Sequence, residues 1–98
     1  MPIQYIGLSK LDDVELAKLK SKSEKLSGKI ERKIPNSTIV IIVKTYKKAG
    51  SRSKYSIHAK LNSPHTRVVA QTDDWDIVKA IHKIFNKLET EVLHKFKS

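Results

Sequence analysis

Residues 54–61 alternate strictly between apolar and polar side chains. Tyr55, Ile57, Ala59 and Leu61 share one side, and the intervening positions are Lys, Ser, His and Lys. Successive side chains of a β-strand point to opposite faces, so this pattern predicts a strand with one buried and one solvent-facing side. A sheet made of such strands needs a second layer of structure to cover its apolar face.

The neighbouring segments predict three more strands. Residues 37–47 are rich in β-branched side chains and are apolar on both faces at their start, which indicates an inner strand. A hairpin loop over residues 47–52 would join that strand to the alternating one. Residues 3–6 and 66–72 are predicted as short strands, and two adjacent valines leave the core face of the last one open.

Two amphipathic helices complete the pattern. The Ser-x-x-Asp spacing of residues 9–12 predicts a capping box for the first helix, which should end near Lys33 because Pro35 follows. Asp73 or Asp74 is predicted to cap the second helix. The predicted buried stripes are Leu16, Leu19, Ser23, Leu26 and Ile30 in the first helix, and Ile77, Ala80, Ile81, Ile84, Phe85, Leu88 and Val92 in the second.

The predicted order is therefore β-α-β-β-β-α in an α+β domain. Two helices cover one face of a four-stranded sheet most simply when both pack on the same side. Ninety-eight residues are too few for two ordinary domains, so we expect one domain over residues 1–98.

The net charge of +10 is concentrated in one part of the chain. Residues 32–72 contain nine basic side chains and no acidic one, whereas the two flanking segments are nearly balanced. A positive field confined to one part of a small domain attracts a polyanion, and nucleic-acid phosphate is the usual one. Most of the twenty cations are lysines, which favours recognition of phosphate and shape over base sequence. Lysine enrichment also occurs in heat-adapted proteins, so part of the excess could serve solvation alone.

Strand alternation predicts that many of these cations share the sheet face that the helices leave uncovered, with no carboxylate among them. Hydroxyls and an aromatic ring among cations suit contacts with phosphate, ribose and an occasional base. The residues predicted on this face are Lys44, Tyr46, Lys54, Ser56, His58, Lys60, Arg67 and Gln71, and the hairpin tip adds Lys47, Lys48 and Arg52.

Other functional classes find little support. The chain has no cysteine and no Gly-rich phosphate loop, and its four histidines lack the spacing of a zinc site. The acidic residues around Trp75 are explained by helix capping, and Trp75 itself is interpreted as a core residue in preference to a stacking platform for bases. We therefore expect no enzyme, metal, cofactor or small-molecule substrate. The longest apolar run, residues 39–43, is too short to span a bilayer, and no signal peptide is evident, so we expect a cytoplasmic protein.

Three short motifs resemble the ribosome hibernation factor family, whose members bind and silence idle ribosomes. Residues 74–81 (DWDIVKAI), followed by residues 86–89 (NKLE), are similar to the acidic start, the Ala-Ile step and the Lys-Leu-Glu of the family's last helix. Residues 43–47 resemble its second strand, and residues 24–26 resemble part of its first helix. The likeness covers nearly the whole chain as an order of elements.

The resemblance implies a fold like that of double-stranded-RNA-binding domains and a place on the small ribosomal subunit. Members of the family occupy the channel used by mRNA and tRNA anticodon stems. The resemblance therefore also implies a role in translation regulation, as part of a stress response. By motif position Lys25, Lys44 and Lys87 would contact ribosomal RNA. Thr90 and Glu91 stand where the family usually has Arg-Gln, which shifts the expected contacts toward Lys47, Lys48, Arg52 and Lys60. Because the chain ends at Ser98, we expect a short form without the domain by which long members pair two ribosomes.

Two other functions stay open on the sequence. One is a generic double-stranded-RNA-binding module that acts away from ribosomes. The other is a protein-interaction module, such as a homodimer formed through exposed strand edges.

Overall fold

The computed structural model describes residues 2–47, 53–64 and 66–96. The elements are β1 (Ile3–Ile6), a short 3-10 helix (Leu8–Lys10), α1 (Asp13–Lys33), β2 (Thr38–Lys47), β3 (Ser53–Asn62), β4 (Arg67–Asp74) and α2 (Ile77–Phe96). This order confirms the predicted β-α-β-β-β-α arrangement and the α+β class. Within the described ranges, no helix is long and apolar enough to cross a membrane.

The four strands form one mixed sheet in the order β1-β2-β3-β4. β1 runs parallel to β2, and α1 makes the crossover that a parallel pair requires. β2, β3 and β4 form an antiparallel meander. The inner position predicted for β2 is confirmed, since it pairs with β1 on one side and β3 on the other.

Both helices cover the same face of the sheet, and the core lies between the two layers. The buried side predicted for β3 is confirmed, because Tyr55, Ile57, Ala59 and Leu61 are all buried; Ser56, on the other side of the strand, is also buried. In β4, Val68 is buried and Val69 is exposed, which settles the core face that the sequence left open. The apolar stripe predicted for α2 is buried along its whole length: Ile77, Ala80, Ile81, Ile84, Phe85, Leu88 and Val92.

The capping box of α1 lies three residues later than predicted. Asp12 accepts a hydrogen bond from the Glu15 backbone N–H at 2.7 Å, and Glu15 accepts one from the Asp12 N–H at 3.1 Å. The Ser9 cap was wrong because Leu8–Lys10 already form a 3-10 helix. The carboxylates of Asp12 and Glu15 each accept a hydrogen bond from the other residue's backbone N–H. These two N–H groups lie at the start of the helix and have no carbonyl partner within it.

The buried stripe of α1 is narrower and more polar than predicted. Leu19 and Ile30 are fully buried, and Ser23 lies between them. The Ser23 hydroxyl donates to the Leu19 carbonyl, and its oxygen lies 2.7 Å from the Tyr5 hydroxyl of β1. Burial raises the pKa of Tyr5. Leu16 and Leu26 are only partly buried, because Ser23 and Ser27 take the inward positions between the two apolar ends.

The start of α2 also differs from the prediction. β4 continues through Asp73 and Asp74, which pair with Ser56 and Tyr55 of β3. Asp76 is the residue that caps α2, since its carboxylate accepts from the backbone N–H groups of residues 78 and 79 at 2.8 and 3.1 Å. Asp73 and Asp74 were assigned wrongly because strand pairing, which the local sequence does not display, extends β4 by two residues.

Asp74 connects the end of β4 to α2. Its carboxylate lies 2.7 Å from the Lys83 Nζ and accepts the Asp76 backbone N–H at 3.0 Å. The hydrogen bond from Lys83, followed by that from the Asp76 backbone, holds the pKa of Asp74 below its ordinary value.

Substituting Asp74→Asn should therefore lower stability in a pH-dependent way. At pH 7 we expect a loss below about 1 kcal/mol, because Lys83 is half exposed. The pKa of Asp74 in the folded state lies below its value in the unfolded chain, which is about 3.9. The wild-type advantage should be complete above that value and disappear as the pH falls through the folded-state pKa. Urea unfolding at neutral and acidic pH measures the difference, and an equal difference at every pH would contradict this account.

Candidate nucleic-acid interface

The sheet face turned away from the helices, called the open face below, carries the cations of the antiparallel meander. Because Ile41, Val43, Ile57 and Leu61 point into the core, the residues between them point outward. The structure places there all eight residues that the sequence predicted: Lys44, Tyr46, Lys54, Ser56, His58, Lys60, Arg67 and Gln71.

The strand register separates the described cations of the open face into two groups. Lys44 and Lys54 lie near the end where the hairpin between β2 and β3 begins. Lys60 and Arg67 lie toward the opposite end, where β3 turns into β4. Lys54 and Lys60 are six residues apart on one strand, about 20 Å at the usual rise per residue. The two groups could therefore contact phosphates that are well separated along a nucleic acid.

The centre of the open face carries no lysine, arginine or carboxylate among the described residues. Ile42, His58 and Gln71 lie side by side across three strands. Ile6 is the β1 neighbour of Ile42, and Val69 lies beside Lys60. A face of this kind offers apolar and hydrogen-bonding surface between its positive ends.

The open face also carries a carboxylate, which corrects the prediction of a face without acidic side chains. Asp73 stands opposite Ser56, in the same cross-strand row as Lys44. The sequence missed it because Asp73 was assigned to a helix cap, outside the sheet. A single carboxylate reduces the positive potential around Lys44 but leaves Lys60 and Arg67 at the far end.

Two open-face cations have local partners that orient them. The Arg67 Nε donates to the Asn62 Oδ1 at 2.9 Å across the β3–β4 pair. The Lys54 Nζ lies 6.0 Å from the centroid of the Trp75 ring, the usual limit for a cation–π contact. Trp75 is 43% exposed, so its interpretation as a core residue was wrong. It follows the last residue of β4, at the sheet's end, where the helices do not cover it.

Of the other predicted RNA-binding residues, Lys25 and Lys87 do not join the open face. Lys25 is exposed on α1, two residues from both Ser23 and Ser27, which puts it on the outer side of the helix layer. On α2, the Lys87 Nζ donates to the Gln71 backbone carbonyl at 2.6 Å, at the free edge of β4. Lys47 is the last residue of β2, and only its backbone is described, whereas Lys48 and Arg52 lie outside the described residues.

Comparisons with known proteins identify the fold and no close relative. No protein-family model matches the chain, and no curated protein matches it. Among solved structures, the N-terminal domain of Protein Y from Thermus thermophilus is 18% identical, with a TM-score of 0.68 over 97% of this chain and 99% of that one. A ribosomal subunit interface protein from Coxiella burnetii is 19% identical, with a TM-score of 0.64 over the full length of both chains. The chain thus has the fold of these proteins, as the motif resemblance implied.

Proposed function

We propose that this protein is a cytoplasmic, non-catalytic ribosome-associated factor that binds ribosomal RNA of the small subunit. It occupies the channel used by mRNA and tRNA, and so inhibits translation or keeps idle ribosomes in storage. The observation that carries the proposal is the collection of Lys44, Lys54, Lys60 and Arg67 on one accessible sheet face. The shared fold with a protein described as a ribosomal subunit interface protein favours the ribosome as the source of that RNA.

The proposed mechanism needs no bond-making step. Lysine and arginine side chains displace counterions from the RNA backbone, and the entropy of their release drives association. The folded domain then excludes mRNA and tRNA sterically from the space that it fills. Because lysines make point contacts with phosphate, binding would depend on the shape of the RNA surface more than on its sequence.

Co-sedimentation with purified small subunits over a salt series tests the proposal. If about six phosphates are neutralised, the logarithm of the binding constant should fall with the logarithm of salt concentration with a slope of about −4 to −5. Four of those contacts would come from the open face and the others from cations such as Lys48 and Arg52, which the sequence predicts at the hairpin tip. A protein that stays at the top of the gradient even at low salt would refute the proposal.

A plain RNA duplex serves as the competitor that separates this function from generic duplex binding. Ribosome-directed binding predicts a clearly higher affinity for small subunits than for the duplex. Equal affinities would instead favour the double-stranded-RNA module. The homodimer alternative would use one of the two free sheet edges, that of β1 or that of β4, and at the β4 edge Lys87 already occupies the Gln71 carbonyl. Such capping of an edge discourages pairing with another strand.

A further inference from the structure

Three side chains form a row across the hairpin end of the open face. Tyr46 of β2 stands opposite Lys54 of β3 in the antiparallel register. One step beyond the last β3–β4 pair, Tyr55 with Asp74, the same register brings Lys54 opposite Trp75. The 6.0 Å between the Lys54 Nζ and the Trp75 ring centroid agrees with this placement. A cation is therefore flanked by two aromatic side chains.

Both aromatic side chains are accessible. Tyr46 is 49% exposed and Trp75 is 43% exposed, although large aromatic rings of small domains are usually needed in the core. They lie two strand spacings apart, which is about 10 Å. The Lys54 Nζ lies 6.0 Å from the centroid of the Trp75 ring, so the positive charge is located beside the two rings.

The groove beside this row is polar. It is lined by Tyr46, Lys54, Ser56, Gln71 and Asp73. A hydroxyl, an amide and a carboxylate can accept or donate hydrogen bonds at the edge of a planar group resting on the rings. Sheet surfaces bind unpaired nucleotides with the same three elements: exposed rings that stack on bases, a cation that contacts phosphate, and polar groups that bond to a base edge.

We infer that the row Tyr46–Lys54–Trp75 binds unpaired RNA bases by stacking, with Lys54 contacting the adjoining phosphate. The inference rests on the proposed RNA binding by the open face and adds the form of RNA that this end of the face recognises. A base inside a duplex is already stacked and paired, so it cannot place its face on an exposed ring. The hairpin end therefore selects a loop, a bulge or a strand end.

Trp75 is the protein's one tryptophan, so emission excited at wavelengths that tyrosine does not absorb reports on this site alone. Titration with single-stranded oligo(U) should quench the Trp75 emission, because stacking brings a base onto the indole ring. The same oligo(U) annealed to oligo(A) should bind through phosphate contacts and leave the emission nearly unchanged. Equal quenching by strand and duplex, or no quenching at saturation, would overturn the inference.

Variants separate stacking from a merely structural role. Trp75→Leu and Tyr46→Leu should each weaken binding of labelled oligo(U) at least about fivefold, whereas Trp75→Phe retains a ring and should lose less. Leu93→Ala is the matched control, because Leu93 is an exposed apolar residue of α2, outside the open face. Unchanged oligo(U) affinity in both leucine variants, with their fold verified by circular dichroism, would also overturn the inference.

The outcome on ribosomes is distinguishable from the outcome on oligonucleotides. If the leucine variants bind oligo(U) and small subunits as the wild type does, stacking is refuted while the proposed function stands. If the wild type is quenched by oligo(U) but never sediments with subunits, the stacking site is supported and the proposed function fails.

Discussion

Replacing Lys44, Lys60 and Arg67 together by glutamine is expected to weaken binding to small ribosomal subunits about a hundredfold. The slope of the salt dependence implies that each phosphate contact is worth a factor of about four to five at 0.15 M salt relative to 1 M. Three lost contacts multiply to about a hundredfold. The slope itself should become less steep by about 2 to 3. Co-sedimentation over a salt series measures both quantities.

A second set of two lysines and one arginine, on α1, provides a matched control for this triple substitution. Lys18, Lys25 and Arg32 are exposed and seven residues apart on α1, so they share its outer side. Replacing them by glutamine also lowers the net charge from +10 to +7, because two lysines and one arginine are removed in each set. General attraction to a polyanion is thus matched, and only the position of the charges differs.

The comparison decides which layer of the protein contacts RNA. We expect a much smaller loss in the α1 set, since it lies on the opposite side of the molecule from the open face. A loss in the α1 set equal to or greater than that in the open-face set would contradict the proposed interface. It would instead favour the helix layer, where the motif resemblance positions Lys25.

A Gly7→Ala substitution is expected to destabilise the fold by about 3 kcal/mol or more. Gly7 follows β1 with a φ of 84°, in the left-handed region where a side chain collides with its own backbone at a cost of roughly 1–2 kcal/mol. An added Cβ would also lie 2.2 Å from the Val43 carbonyl oxygen, a backbone atom of the central sheet. Relieving that overlap requires movement of β1 or β2, which adds to the loss.

Gly28→Ala is the matched control and should have the opposite sign. Gly28 lies inside α1, and apart from the adjacent residues and the local helix backbone no described heavy atom would come within 4 Å of a new Cβ. Alanine is better than glycine in a helix interior by about 0.8–1 kcal/mol, so this variant should be more stable than the wild type. Urea unfolding monitored by circular dichroism measures both changes. Equal effects of the two substitutions would contradict the packing at Gly7.

Much of the fold could be read from local patterns. The alternation around Ile57 and the helical stripe around Ile84 each specify a buried side, and burial of that side determines the element. The errors occurred at element ends. Asp73, Asp74 and Ser9 were placed in caps by their immediate neighbours, but strand pairing and a 3-10 helix decide where the helices begin.

The candidate site was predicted in part for the same reason. Once β3 was identified, strand alternation alone placed Lys54 and Lys60 on a common face. The Asp73 carboxylate and the exposed Trp75 ring were missed, because their positions depend on how far β4 pairs with β3. The extent of that pairing was the missing information, and the pattern of β4 alone did not contain it.

The amino-acid sequence by itself determined the order of the elements, the sides that they bury and the concentration of positive charge in the meander. These properties follow from the spacing of apolar and charged residues along short segments, where chain geometry is regular. Only the tertiary structure decided where side chains distant in sequence lie: Lys54 between Tyr46 and Trp75, Lys87 at the edge of β4, and Lys25 on the far side. Register between strands and the choice of sheet face couple residues distant in sequence, so no local pattern can specify them.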